Sequence, residues 1–443
     1  MNIDKFSDKA LMTNVSRRNL LTGIVSGGGL ILAAQFLPRS ALADGGSVNA
    51  YKTGADGMPG GVVWDPHVFV AIDPSGMVTI VTHRSEMGTG SRTSLPMVVA
   101  DEMEADWSRV KIVQAEGNEQ KYGNQDTDGS RSIRHFIQPM RACGAAARQM
   151  LEHAAALTWG VSDSECRAQN HNVTHVPTGK SLGYGELAAV AATLKTPNAK
   201  SLTLKDPADF RYIGKGEIQI TDMFNITTGK ANYAQDIHVP GMKYAVVARP
   251  PVVLGQVKTF DEAAAMKVPG VVKVVKIPST PMPAVFAPLG GVAVIADSTW
   301  AALKGREALK VTWDDGPNKS YNSDTYKAQM QATARKPGKI ERNEGDIDKA
   351  LAGAAKVIER EYYIPHGVHV PMEPPAAVVQ IKDGKAEVWA CVQSPGGTRG
   401  DVAKVLGMKV DDVKVNVTLL GGGFGRKSKC DFAQEAAILS KAM

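Results

Sequence analysis

The chain has 443 residues, 43% of them apolar and 22% charged, with 44 glycines and a formal net charge of +6. That apolar fraction lies near the globular norm, which excludes a disordered or fibrous chain, and the length predicts about two to four domains. The first 43 residues hold five basic side chains (Lys5, Lys9, Arg17, Arg18, Arg39) against two acidic ones (Asp4, Asp8), so half of the +6 sits there and the remainder gives no basic footprint for nucleic acid.

Residues 1–43 read as a twin-arginine signal peptide. Ser16-Arg17-Arg18-Asn19-Leu20-Leu21 precedes an uncharged stretch to Pro38, softened by Gly23 and Gly27-Gly28-Gly29, and Ala41-Leu42-Ala43 is a small-x-small cleavage site. A transmembrane anchor is the competing reading, since about 20 residues can span a bilayer. Export of a folded chain predicts a periplasmic location and a cofactor inserted beforehand. Residues 44–63 read as an exposed leader. The four cysteines (Cys143, Cys166, Cys391, Cys430) form no C-x-x-C and no cluster spacing, so iron–sulfur and covalent haem ligation on this chain are not expected.

Val68–Val81 reads as two strands about the turn Asp73-Pro74-Ser75-Gly76. Ser94 is the expected N-cap of a helix with Pro96 in its first turn and apolar residues onward to Trp107. Val110–Val113 is a strand, Tyr122–Ser132 a polar loop, and an Ala-rich helix is expected from about Gln138 to Trp159. Thr203–Tyr212 reads as a linker. From Asn225 to about Gly316, strand candidates Met242–Val247 and Val271–Ile277 alternate with helix candidates Ala263–Lys267 and Thr299–Leu309, an α+β module. Residues 320–352 read as mostly helical, Val357–Tyr363 and Ala386–Gln393 as strands, and Gly400–Leu406 as a short helix. The pattern near the end is clear: apolar Val413, Val415, Val417 and Leu419 alternate with Lys414, Asn416 and Thr418, predicting a strand buried on one face. It runs into Gly421-Gly422-Gly423-Phe424-Gly425-Arg426-Lys427 and a helix from about Asp431. The chain stops at Met443 without a helix-stop signal, which reads as a cut.

A strand, a glycine run and a helix leave backbone N–H groups exposed to an anion or an oxo group. Neither Gly88-Thr89-Gly90 nor Gly421-Gly422-Gly423 has the third glycine of a dinucleotide fingerprint, and Arg426 stands where a phosphate loop needs glycine. Each run reads either as a plain turn packed on a helix or as a cradle for a large cofactor; two of them, with the small-residue loop Gly129-Ser130-Arg131-Ser132, favour the cradle. Phe424 reads as a core plug, with a pocket wall as the alternative. His83 and His135 read as polar or structural, Glu373 before Pro374-Pro375 as ordering a turn, and Arg131 and Arg426 as phosphate partners or solvated surface.

The run Val415–Lys427 resembles the molybdenum-cofactor-binding subunits of the xanthine dehydrogenase/aldehyde oxidase family. Four further segments resemble that family in a consistent order: Glu86-Met87-Gly88-Thr89-Gly90, Thr127–Ser132, Thr228-Gly229-Lys230-Ala231-Asn232-Tyr233 with Asp236, and His369-Val370-Pro371-Met372-Glu373-Pro374. Their order and the twin-arginine leader resemble the isoquinoline 1-oxidoreductase β-subunit branch, with the large subunits of periplasmic aldehyde dehydrogenases. The resemblance implies an α+β fold in which cofactor-binding segments (44–205 and 321–443) flank an a/b hammerhead-like domain (206–320). It implies a molybdopterin cytosine dinucleotide cofactor contacted by Met87, Gly88, Thr89, Gly90, Gly129, Ser130, Arg131, Ser132, Gly422, Gly423 and Phe424. It implies a [2Fe-2S] partner subunit, a cytochrome c subunit as a further acceptor, and oxidation of aldehydes to carboxylic acids or, alternatively, hydroxylation of isoquinoline-type N-heterocycles. Thr89 stands where the family has Gln. The family's Glu base has no counterpart after Lys427, so no catalytic residue or metal ligand is assigned here; the base is expected beyond Met443 or on a second polypeptide. A truncated, non-catalytic exported protein is the reading from another class.

Overall fold

The computed structural model describes residues 61–443; the expected signal peptide and most of the expected leader lie outside the described residues. The described chain divides into two compact units, one made of the residues up to Ala245 with Met282–Pro288 and Pro371–Met443, the other of Val246–Pro281 with Leu289–Val370. Among the described residues no helix is long and apolar enough to cross a membrane.

In the first unit, strands β1 (Val70–Ile72) and β2 (Val78–Thr82) pair antiparallel, Val70 opposite Ile80. Their turn is the expected one: the Asp73 carboxylate accepts from Met77 N–H at 3.1 Å, and Gly76 supplies a φ of +83°. Helix α1 (Ser91–Glu102) carries the chain to β3 (Val110–Gln114), parallel to β2 with Val78 opposite Val110. The long α2 (Arg131–Trp159) packs on α1, then ends at Gly160, whose φ of +67° makes the left-handed cap. Small residues set that crossing: a Cβ on Gly144 would stand 2.5 Å from Val99 O. Phe69, Leu95, Val99, Phe136, Met140 and Met150 fill the core between the helices and the sheet. Each such side chain contributes about 1.5–3 kcal/mol of burial. Strands β4 (Cys166–Gln169), β5 (Asn172–His175) and β6 (Ser181–Gly183) form a small antiparallel sheet followed by helix α3 (Tyr184–Ala191).

Two helix starts differ from expectation. Helix α1 begins at Ser91, with Gly90 in the left-handed cap position; Ser94 Oγ donates back to Gly90 O at 2.8 Å, so it sits in the first turn and Pro96 lies inside the helix. Its apolar run stops at Glu102, and Trp107 belongs to a separate helical turn. Helix α2 begins seven residues before Gln138 and takes in Pro139. The linker 203–212 is tied down: the buried Asp101 carboxylate accepts from the N–H groups of Arg211, Tyr212 and Ile213 and from Lys205 Nζ.

The second unit takes in the sheet β7 (Tyr244–Ala248, from Val246 onward), β10 (Leu289–Ala296), β9 (Val271–Ser279), in that order, and the pair β8 (Gln256–Thr259) and β11 (Thr312–Asp314). Helices α4 (Glu262–Met266) and α5 (Thr299–Ala308) pack against β9 and β10. Helices α6 (Ser323–Ala334) and α7 (Ile347–Ala352) follow. The expected strand Val357–Tyr363 does not form; the segment has no regular secondary structure and is exposed, with Ile358 and Tyr362 turned out. Its β-branched and aromatic residues have the propensity, but no neighbouring strand supplies a ladder.

The chain then returns to the first unit and repeats its opening plan. Strands β12 (Ala377–Lys382) and β13 (Lys385–Ala390) pair antiparallel, α8 (Pro395–Leu406) crosses over, and β14 (Val413–Val417) lies parallel to β13. Helix α9 (Asp431–Ala442) follows the glycine turn as α2 follows the Gly129 loop. The match reaches single hydrogen bonds: Ala115 N–H donates to Thr82 O, and Thr418 N–H to Ala390 O. Expectation gave β14 one buried face; Asn416 and Thr418 are buried as well, Asn416 donating to the Glu387 carboxylate at 2.9 Å.

Candidate cofactor-binding site

Three turns of the first unit come together at the exits of β2, β3 and β14. The first follows β2. The buried Glu86 carboxylate accepts from Gly88 N–H at 2.7 Å, Gly90 N–H at 2.9 Å and Arg92 N–H at 3.0 Å, folding the Met87–Gly90 turn around itself. Gly88 and Gly90 have φ of +98° and +74°, values that exclude most side chains. The amides of Gly88 and Gly90 are thus turned inward, while the N–H groups of Met87 and Thr89 have no partner among the described residues. Gly88 and Thr89 are exposed, and Thr89 Oγ1 donates to Ser91 Oγ at 3.3 Å.

The second turn runs into α2. Buried Arg84 spends its guanidinium on it, donating from Nη1 to Asn124 O at 2.7 Å, from Nη2 to Asp126 O and from Nε to Ser132 Oγ at 3.2 Å, while lying over the Phe136 ring. Burial lowers its pKa to about 10, so it remains charged at neutral pH. Thr127 Oγ1 accepts from Ser85 N–H at 3.0 Å, joining this turn to the first. Gly129 and Ser130 both have positive φ, 49° and 56°, and their N–H groups have no partner among the described residues. Arg131 pairs with Asp128 at 2.5 Å. His83 beside Arg84 is fully buried between Phe69 and Phe136, with neither ring nitrogen hydrogen-bonded; burial, reinforced by the Arg84 charge, holds its pKa well below 6.5.

The third turn, Gly421–Lys427, is pinned at both ends and in the middle. Glu373, 8% exposed, accepts from Ala234 N–H at 2.9 Å through Oε1, and through Oε2 from Gly421 N–H at 2.9 Å and the fully buried Lys427 Nζ at 2.7 Å. Glu373 is therefore a turn-ordering residue, as expected. Gln393 holds the middle: its N–H donates to Lys427 O at 2.9 Å, and its Oε1 accepts from Gly425 N–H at 3.1 Å. Between these pins the N–H groups of Gly422, Gly423 and Phe424 have no partner among the described residues. The glycines are steric necessities, since a Cβ on Gly421 would stand 2.5 Å from Glu373 Cβ and one on Gly423 2.5 Å from Gln393 Oε1. Phe424 is not a core plug; at a φ of 51° it projects from the turn, 63% exposed. Arg426 is held bidentately by Asp431, both contacts at 2.8 Å.

Gln393 also donates from Nε2 to Thr127 O at 2.7 Å, so one buried amide joins the second and third turns. The sequence reading missed it. Its signal was a polar residue three positions past a buried strand and just ahead of Ser394-Pro395. The first turn adjoins the third as well: Leu420 N–H donates to Glu86 O at 3.0 Å, and Met87 Sδ lies 3.0 Å from where a Gly423 Cβ would be. The burial around Glu373 lifts the Cys391 thiol to about 11, the carboxylate charge adding to it. Among the described residues no group of three or more His, Cys, Asp or Glu could ligate a metal. The unpartnered amides of Gly422, Gly423 and Phe424, beside those of Met87, Thr89, Gly129 and Ser130, are what a large anionic cofactor would find, and they fit such a group through backbone donors.

Two molybdopterin cofactor-binding domains match, over residues 40–242 and 329–443. The chain is 31% identical over 438 residues to the β subunit of isoquinoline 1-oxidoreductase from Brevundimonas diminuta, covering 88% of this chain and 54% of that protein. It is 32% identical over 392 residues to the membrane-bound aldehyde dehydrogenase [pyrroloquinoline-quinone] of Gluconacetobacter polyoxogenes, covering 87% and 50%. A nicotinate dehydrogenase subunit of Pseudomonas putida is 28% identical over 391 residues, covering 85% and 31%. The chain thus spans about half the length of the first two relatives and less of the third.

Proposed function

Because the chain belongs to the molybdopterin cofactor-binding proteins of the xanthine dehydrogenase family, we propose that it is the cofactor-binding part of an exported molybdenum oxidoreductase that converts aldehydes to carboxylic acids. The observation that carries this reading is the row of unpartnered amides at Gly422, Gly423 and Phe424 held between Glu373 and Gln393. These amides would face the oxo ligands of the metal. The amides of Met87, Thr89, Gly129 and Ser130, with Ser132 and Arg131 at the start of α2, would hold the pterin and its nucleotide, here the cytosine dinucleotide form. When bound, the molybdenum group supplies the two-electron oxidation. The chain's own residues orient it: Glu86 shapes one turn, Arg84 the second, and Glu373 with Lys427 the third. Phe424, standing out from its turn, would wall the substrate side.

Electrons would leave through a small [2Fe-2S] subunit and a cytochrome c subunit. Arg17-Arg18 and Ala41-Leu42-Ala43 support twin-arginine export and a periplasmic location. The name of the relative from Brevundimonas diminuta supports a second reading, hydroxylation of an isoquinoline-type N-heterocycle. A substrate panel with an artificial electron acceptor, run on the chain purified with its co-expressed partner subunits, tests both. Turnover of aldehydes is expected. Turnover of ring substrates alone would establish the second reading, and turnover of neither by molybdenum-loaded protein would overturn both.

A further inference from the structure

The Gly421–Lys427 turn is closed by a buried ion pair. Lys427 is fully buried, and the hydrogen-bond acceptor of its ammonium is Glu373 Oε2 at 2.7 Å. A lysine ammonium is rarely taken out of water unless its charge is met. The same oxygen accepts from Gly421 N–H at 2.9 Å, and Glu373 N–H donates to Gly421 O at 3.0 Å. One carboxylate therefore grips both ends of a seven-residue turn, with its other oxygen anchored on Ala234 N–H at 2.9 Å. Between the grips, glycine lets the chain approach Glu373 and Gln393 to distances that any Cβ would violate. The three amides left without partners lie inside this staple.

We infer that the Glu373–Lys427 pair is a positioning element that holds the Gly422, Gly423 and Phe424 amides in the pose the cofactor needs. It acts through the turn and touches no ligand itself. The inference rests on the molybdopterin reading for its functional half and on the turn's own geometry for its structural half. Neither Lys427 nor Glu373 can be replaced by a neutral residue alone without stranding the other charge in a buried site. Relieving both together removes the ion pair that closes the turn while leaving no orphan charge.

The test compares the full chain, purified with its co-expressed partner subunits, as wild type, Lys427→Met, Lys427→Arg and the double variant Glu373→Gln/Lys427→Met. Hydrogen exchange of peptides over 419–429 and the molybdenum-to-protein ratio are measured on each, with peptides over β1–β3 reporting the rest of the fold. The expected result for Lys427→Met and for the double variant is exchange at least tenfold faster over 419–429, unchanged exchange over β1–β3, and a tenfold lower molybdenum ratio; Lys427→Arg recovers part of both. Should Lys427→Met fail to fold, the double variant decides. Unchanged exchange over 419–429 would overturn the staple, and faster exchange with a full molybdenum ratio would reduce the pair to a structural role and overturn the inference. A wild type without molybdenum would refute the cofactor reading itself and with it the functional half, leaving exchange to judge the staple.

Discussion

Adding one carbon at Gly423 tests the tightness of the third turn. Gly423 is not in the left-handed region, so Gly423→Ala brings no backbone strain, and its cost comes from contact alone. The new Cβ would lie 2.5 Å from Gln393 Oε1, 2.9 Å from Gln393 Cδ and 3.0 Å from Met87 Sδ. A side-chain end can usually swing away, but this amide is fixed by Thr127 O at 2.7 Å and Gly425 N–H at 3.1 Å. Moving it breaks both bonds and strands the buried Thr127 O, at about 1–3 kcal/mol for that unsatisfied group, while Gly425 N–H is exposed and can turn to water. The expected destabilisation is about 1–3 kcal/mol. Gly400→Ala is the internal reference: it lies within α8 with nothing within 4 Å of its Cβ position, so it should stabilise by about 0.5–1 kcal/mol. Urea unfolding monitored on both variants reads the difference. A Gly423→Ala protein within about 0.5 kcal/mol of wild type would refute the claim that Gln393 is locked.

Three further outcomes follow from the buried charges and thiols. His83 has a folded pKa below its unfolded value of about 6.5, so the unfolded chain binds the extra proton; stability is complete above that value and falls as pH drops below it, by up to about 1.4 kcal/mol per pH unit. His83→Leu should show a smaller loss of unfolding free energy from pH 7 to pH 5 than wild type, and an equal loss would contradict the assignment. The four cysteines are free and buried, with burial, helped by the Asp401 carboxylate, raising Cys430 to about 12 and burial with the Glu373 charge raising Cys391 to about 11. A thiol reagent should leave the native chain unlabelled at pH 8 and modify four sites after denaturation. Arg84→Met leaves Asn124 O, Asp126 O and Ser132 Oγ without their donor and should cost about 3 kcal/mol or more, with hydrogen exchange rising first over 123–132.

What the residue pattern revealed, and what it concealed, follows physical lines. The alternation Val413–Leu419 and the glycines after it made the third turn legible, because period-2 burial and the need for glycine are both local. The Gly88 and Gly129 segments were found for the same reason. Helix α2 starts seven residues before the expected Gln138 because the Ala-rich pattern marks only its later part, whereas the start is set by Gly129 and Ser130 turning left-handed. Helix α1 was placed late at Ser94, whose hydroxyl bonds back to Gly90 O inside the first turn. Val357–Tyr363 failed as a strand because propensity cannot supply a partner. Phe424 was misread as core because sequence cannot show that its backbone is left-handed and its ring turned out. Gln393 carries no motif, and Lys427 closes the glycine motif without showing its partner; the roles of both arise from long-range hydrogen bonds to Thr127 and Glu373 that only the fold creates.

The central claim is that the three turns form one cofactor cradle. The direct measurement is the molybdenum and pterin content of the full chain, purified with its co-expressed partner subunits from a molybdenum-replete host. The account predicts about one molybdenum and one pterin per chain in wild type and a much lower ratio in the folded Gly423→Ala protein. Wild-type protein that is folded but free of both molybdenum and pterin would contradict it.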